Sequence, residues 1–264
     1  MLIKRIISST ILILLVLASI SIDRLWGFVV TIFTIAGLYE FFTMLENKKI
    51  NIYKYFGIGM GTLIPLSILF RFELTKSWEL LFVVLALLFL ILMQFRRQEN
   101  SGAVLGISTT IFGILYVAWF LSFLIKIRYL TAGIGLLGTV LIITKLGDTG
   151  AFLVGTRFGK KPLLPHVSPK KSIEGAAGGL IFSVLGAFIS KPFFNLPYLQ
   201  LLFIGIFLGI LGQLGDLSES LIKRDCQVKD SGNLIPGMGG VLDLIDSLLF
   251  TAPAFYFYIS LTLK

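Results

Sequence analysis

Residues 199–262 read LQLLFIGIFLGILGQLGDLSESLIKRDCQVKDSGNLIPGMGGVLDLIDSLLFTAPAFYFYISLT. A polar, glycine-rich stretch stands between two apolar segments, 199–222 and 241–262, each long enough to cross a bilayer as a helix. Lys223, Arg224 and Lys229 make the intervening loop cationic. Pro236, Gly237, Gly239 and Gly240 predict a sharp turn whose backbone N–H groups can come close to an anion. Asp243 and Asp246 are three residues apart and share one face of the helix that follows. Asp216, Glu219 and Ser220 share a face of the helix that precedes. Cations, a glycine turn and paired carboxylates together point to a phosphate ester held with a divalent cation.

Working outward, the same alternation recurs. Nine apolar spans are predicted at about 5–22, 26–45, 54–71, 78–94, 103–124, 131–153, 175–190, 199–222 and 241–262, with turn formers and charges between them. Only 14% of the 264 residues are charged, 56% are hydrophobic, and the mean hydropathy is +0.93. A soluble domain usually carries about a quarter charged residues. The fold class is therefore all-α, a polytopic integral membrane protein. Residues 1–130 read as a hydrophobic helical scaffold and 131–264 as the half that carries the chemistry. The segment after Lys4 and Arg5 lacks a small-residue cleavage site and reads as a retained helix. No internal repeat or soluble domain is evident.

Cys226 is the only cysteine and His166 the only histidine, which excludes an intrachain disulfide, a metal site built on thiolates and a multi-histidine zinc site. Neither is assigned a role. The net charge of +9 fits cytoplasmic loops beside anionic lipid better than nucleic acid, which is not an expected partner. Orientation follows from where the cations fall. Lys4, Arg5, Lys48, Lys49, Lys54, Arg96, Arg97, Arg157, Lys160, Lys161, Lys170, Lys171, Lys223, Arg224 and Lys229 lie on the N-terminal side, fifteen in all. Arg24, Arg71, Lys76, Lys126, Arg128, Lys191 and Lys264 lie on the other, seven in all. The excess predicts a cytoplasmic N-terminus, an external C-terminus, and both polar loops facing the cytoplasm.

Charges within spans cost roughly 2.5–3.5 kcal/mol each at mid-membrane. The chain nevertheless keeps Glu40, Lys145, Asp148, Asp216, Glu219, Asp243 and Asp246 in or at the ends of its helices. Glu40 is left open between a helix end wetted by headgroup water and a specific role. Asp216, Asp243 and Asp246 are the predicted metal ligands, for Mg²⁺, which takes hard oxygen donors and keeps several waters. Glu219 reads as a supporting or packing group. The carboxylate count also admits a second cation. In the other polar loop, Ser168, Lys170, Lys171 and Glu174 lead into a helix with Ser172 as its predicted N-cap. An anion there would meet free N–H groups and the positive helix end, though a plain positive-inside loop is the alternative. Lys145 and Asp148, three apart, read either as a structural ion pair or as part of the site. Gly205, Gly209 and Gly212 read as a face for close helix packing.

The residues from Ser220 to Asp246 resemble the motif of the phosphatidate cytidylyltransferase (CDP-diacylglycerol synthase) family. That motif runs Ser-x-aliphatic-Lys-Arg, four residues, Lys-Asp, then Pro-Gly-His-Gly-Gly, then Asp-Arg-x-Asp. Ser220, Lys223, Arg224, Lys229, Asp230, Pro236, Gly237, Gly239, Gly240, Asp243 and Asp246 match it. Met238 stands where the family usually has His, and Leu244 where it has Arg. The upstream DTGAFLVGTRFGKKPLLPHVSPKKSIEG, Asp148 to Gly175, is also similar, so the resemblance runs from about Lys145 onward. It implies transfer of a cytidylyl group from CTP to phosphatidic acid, giving CDP-diacylglycerol and pyrophosphate for phospholipid synthesis, in an inner (cytoplasmic) membrane. It implies catalytic roles for Lys223, Arg224, Asp243 and Asp246. Asp148, Ser168, Lys170, Lys171, Glu174, Ser220, Lys229, Asp230, Gly237, Gly239 and Gly240 become candidate substrate contacts. Membrane lipids are implied partners, and a homodimer is an open expectation. There are two alternatives. A phosphotransferase of the CDP-alcohol type would need an Asp-Gly-x-x-Ala-Arg pattern, which is missing. A cation-coupled transporter is disfavoured by the one-sided polar motifs and the lack of repeats.

Overall fold

The computed structural model describes residues 2–72, 78–97, 100–193, 196–237 and 239–262, with backbone alone for residues 2–6. Met238, one of the two departures from the motif, lies outside the described residues, as do Lys76 and Lys264 of the charge count. Each of the nine predicted apolar segments is helical. Seven helices are long and apolar enough to cross a membrane. Of the other two segments, Ile7–Ile20 and Lys54–Leu69 are apolar but shorter. The protein is thus an all-α integral membrane protein apart from one small hairpin, with at least seven helices of membrane-spanning length among the described residues. Large apolar side chains such as Leu80, Leu88, Ile181, Leu199 and Phe203 stay exposed on the helix flanks, as contact with lipid requires.

The chain forms two compact units. One runs to Ile125 and takes in Cys226–Leu242; the other holds Lys126–Asp225 and the chain from Asp243. The first unit contains α1 (Leu2–Ile20), α2 (Asp23–Asn47), α3 (Lys54–Leu69), α4 (Trp78–Phe95) and α5 (Ala103–Gly113). A π-helical stretch, Ile114–Trp119, carries α5 into α6 (Phe120–Arg128), so that 103–128 is one span. Its core is built by large side chains against glycines. Phe42, Leu38 and Phe41 of α2 occupy the space where a Cβ on Gly57, Gly61 and Gly113 would sit, at 2.6, 2.5 and 2.8 Å.

The 226–242 segment contributes a tight turn to this unit. Ile235 and Gly239 exchange backbone hydrogen bonds of 3.0 and 3.2 Å. Gly237 and Gly239 have φ of 82° and 103°, a region that only glycine enters without strain. The glycine spacing that predicts a sharp turn is therefore a backbone requirement at these two positions. Glu40 of α2 is only 2% exposed. It is a buried ligand of this segment rather than a residue wetted by headgroup water.

The second unit contains α7 (Gly133–Phe158), the hairpin β1 (Pro162–Leu164) and β2 (Ser168–Ser172), α8 (Ile173–Ile189), α9 (Tyr198–Asp225) and most of α10 (Leu242–Thr262). The polar stretch after α7, read from sequence as a loop, folds back on itself as an antiparallel pair with Pro162 opposite Ser172. Ser172 then caps α8 as predicted, its Oγ accepting the Gly175 N–H at 3.0 Å. Small residues set the helix spacing. A Cβ on Gly150 would fall 2.4 Å from Phe182, and on Gly205 2.7 Å from the Cα of Val184. Membrane helices gain no hydrophobic drive from association within lipid, so such close backbone approach carries much of the packing.

Candidate active site

Five elements of the second unit, α7, β2, α8, α9 and α10, converge on one polar region. Asp216 and Glu219 share a face of α9, and Asp246 comes from α10. One carboxylate oxygen from each lies within 4.8 Å of the others. Glu219 is wholly buried and Asp246 is 7% exposed, whereas Asp216 is partly open. The approach is made possible by Gly215: a Cβ there would stand 2.5 Å from the carbonyl oxygen of Asp246. Three carboxylates this close form a hard-oxygen donor set of the kind Mg²⁺ takes.

Asp243, the other predicted ligand, is engaged differently. Its Oδ1 receives Lys223 Nζ at 2.6 Å, and the same ammonium pairs with Glu219 one turn back on α9. Lys223 is thus a half-buried counter-ion inserted among acids. Its neighbour Arg224 is exposed and donates from Nε to the carbonyl of Val167 in the hairpin, at 3.3 Å. The two adjacent cations of the motif therefore do separate things.

Lys145 and Asp148 form the ion pair that their spacing allows, at 2.9 Å. The Lys145 ammonium also reaches the carbonyl of Leu244 at 3.0 Å and Ser247 Oγ at 3.1 Å, and Ser247 donates to Asp148 at 2.9 Å. This network ties α7 to the first turns of α10, where Asp243 and Asp246 sit.

Beside the carboxylates lies a cavity of about 410 Å³. Asp148 and Gly155 of α7, Ser168 and Lys170 of β2, Gly175 of α8 and Asp216 of α9 are on its wall. Lys171, also on the wall, pairs with Asp216 at 2.6 Å. The N-terminal end of α8, with its cap Ser172, opens onto the same space. Glu174 turns away to accept the backbone N–H groups of Lys160 and Lys161 at 3.0 and 3.2 Å, fastening the start of the hairpin. Gln213, which sequence reasoning passed over, lines the cavity while its amide donates to the Ala176 carbonyl at 3.0 Å. A polar residue three positions from Asp216 in an otherwise apolar stretch was the available signal.

The remaining candidates are Ser220, Lys229, Asp230, Gly237, Gly239 and Gly240. Ser220 is buried in α9. Lys229 and Asp230 are exposed residues of the first unit, and Gly237, Gly239 and Gly240 form its turn. The Gly239 N–H is bonded to Ile235, so it holds the turn itself.

The model of the cytidylyltransferase family matches residues 3–262. The phosphatidate cytidylyltransferase of Bacillus subtilis is 34% identical over 240 residues, covering 85% of this chain and 86% of its own length. Those of Staphylococcus saprophyticus and Synechocystis are 33% and 31% identical, over 82% and 86% of this chain and 85% of each relative. With the match running almost end to end, well beyond the C-terminal motifs, this chain belongs to the cytidylyltransferase family.

Proposed function

We propose that this chain transfers a cytidylyl group from CTP to phosphatidic acid, with the reaction centred on the Asp216, Glu219 and Asp246 carboxylates and the adjoining cavity. The observation that carries the proposal is that Asp216 belongs both to the carboxylate group and to the wall of the lysine-lined cavity. A place for a divalent cation and a place for a polyanion share one residue. In the reaction a phosphate oxygen of phosphatidic acid attacks the α-phosphorus of CTP. The bond from that phosphorus to the bridging oxygen breaks, and pyrophosphate leaves.

The attacking oxygen is already anionic at neutral pH, so no side chain is needed to take a proton from it. The obstacle is bringing two polyanions together, and the protein's contribution is charge and position. Lys170, Lys171 and the N-terminal end of α8 would bind phosphate oxygens at the cavity. Lys223 would hold the Glu219 and Asp243 carboxylates in place, and Arg224 would offer a planar fork to a phosphate. Asp216, Glu219 and Asp246 would hold Mg²⁺, which when bound neutralises phosphate charge and polarises the reacting phosphoryl group. Ser220, Lys229, Asp230, Gly237, Gly239 and Gly240 enter the proposal on the motif resemblance alone, as does a second cation on the carboxylate count. A homodimer belongs to the same set of expectations. Under this reading the C-terminal half carries the chemistry and the N-terminal half is scaffold. Incubating the purified chain with labelled CTP, phosphatidic acid and Mg²⁺ should release pyrophosphate and lipid-linked CMP in equal amounts. Label incorporation that does not require phosphatidic acid would refute the proposal.

The orientation belongs to the same reading: nine spans, in an inner membrane, with the cavity facing the cytoplasm where CTP is found. Reporter fusions at the two termini are expected to place the N-terminus inside and Lys264 outside. Both termini on one side would rule out nine spans.

A further inference from the structure

We infer that Glu40 is a positioning residue for the reaction, anchoring the chain at the point where α10 begins. This rests on the reading of the site just given and adds to it a residue from the scaffold half, about 200 positions from the motif. Glu40 is buried in the apolar helix α2, about two turns from its C-terminal end, and an ionised carboxylate there is costly unless it is fully bonded. Its bonding is specific. Oε1 accepts the N–H of Val241 at 3.0 Å, and Oε2 accepts the N–H of Leu242 at 2.9 Å. Oε2 also accepts the hydroxyl of Ser231 at 3.2 Å. Two successive backbone N–H groups at a helix start are thereby satisfied by one remote carboxylate, whose charge also suits the positive end of α10. The next residue in the chain is Asp243.

The glycines of the segment match this anchor. A Cβ on Gly232 would lie 2.5 Å from Glu40 Oε1, and its three nearest atoms are all Glu40's. A Cβ on Gly240 would meet Ser231 Oγ first and would lie 2.5 Å from Glu40 Oε2. Neither glycine has a positive φ, so the close approach of the Glu40 carboxylate, joined at Gly240 by Ser231 Oγ, excludes a side chain there rather than backbone conformation. Gly240 is part of the family motif, and the structure gives it a purpose inside the protein: room for Glu40 and for the Ser231 hydroxyl bonded to it.

Three donors on two oxygens require a carboxylate. Glutamine offers one acceptor oxygen and turns an NH₂ group toward a donor, and aspartate is a methylene too short. The test uses the full chain in detergent–lipid micelles, with Glu40→Gln, Gly232→Ala and the double variant. The expected result is a fall in kcat of about ten- to hundredfold in each single variant, with KM for CTP within about threefold of the parent. Amide hydrogen exchange across 239–243 should speed up in both. Because both substitutions break the same contact, the double variant should be no worse than the poorer single one. The inference is overturned if kcat per folded molecule stays at the parent value in Glu40→Gln, or if the two losses multiply as independent effects. A parent that transfers no cytidylyl group would instead refute the proposed function. Unchanged exchange at Val241 and Leu242 in Glu40→Gln would then refute the anchor separately.

Discussion

Asp246→Asn is expected to lower cytidylyl transfer by about a thousandfold while the protein still assembles in the membrane. The substitution keeps the shape and removes one charge from a group of three. Asp246 is 7% exposed and its carboxylate faces those of Asp216 and Glu219. Three acids held this close repel one another at considerable cost, which Lys171 on Asp216 and Lys223 on Glu219 offset in part and a bound divalent cation would offset further. With one charge gone, cation binding weakens and the phosphates lose their neutralising partner. The loss should be partly recovered by raising Mg²⁺, because the defect is in affinity. Asp243→Asn should cost less, about ten- to a hundredfold, since it deprives Lys223 of one of two partners and leaves the three-carboxylate group intact. The measurement is turnover against Mg²⁺ concentration, with thermal unfolding in detergent as the check on assembly. Near-parent turnover of Asp246→Asn at limiting Mg²⁺ would remove these carboxylates from the reaction.

The sequence makes this region legible because its signals are local. Asp216 and Glu219 share a helix face by spacing alone, the Ser172 cap is written in a five-residue window, and apolar runs of membrane length announce the helices. What the sequence leaves undetermined depends on contacts between distant segments. Asp243 and Glu219 change parts relative to the reading from sequence: Asp243 pairs with Lys223, and Glu219, read as a supporting group, stands among the clustered acids. Helical spacing fixes which face a residue occupies but not how far α10 slides along α9. Gly215 sets that, by letting the Asp246 backbone come within reach. Glu40 is the extreme case. Its partners Val241 and Leu242 are about 200 residues away, and nothing near it in the chain distinguishes it from any other acid in an apolar helix. The hairpin over 162–172 was obscured for another reason. Its strands are short and rich in Lys, Pro and Ser, without the β-branched alternation that marks a strand.

Lys223 and Arg224 should respond differently to substitution, and the difference tests whether the basic pair is chemistry or topology. Lys223→Ala removes the ammonium that sits between Glu219, which is wholly buried, and Asp243. Breaking a buried pair by deleting one partner costs about 3–5 kcal/mol, because the charge left behind is uncompensated. The variant should therefore show a clearly lower unfolding midpoint together with lost turnover. Glu219→Gln in the same background should restore part of the stability, by removing the charge that Lys223 was balancing. Arg224→Lys keeps the charge but loses the planar fork, and its parent side chain is exposed, bonded to the hairpin carbonyl of Val167. Its unfolding midpoint should stay near the parent's, while turnover falls by about tenfold for want of bidentate phosphate contact. A purely topological role makes a different forecast, since the positive-inside effect counts charges and is blind to their shape. On that account Arg224→Lys is silent, and Lys223→Ala disturbs membrane orientation without touching the stability of correctly inserted protein. Measuring orientation, unfolding and turnover on the same preparations separates the two. Parent-like turnover in Arg224→Lys would leave phosphate binding to Lys170 and Lys171 at the cavity.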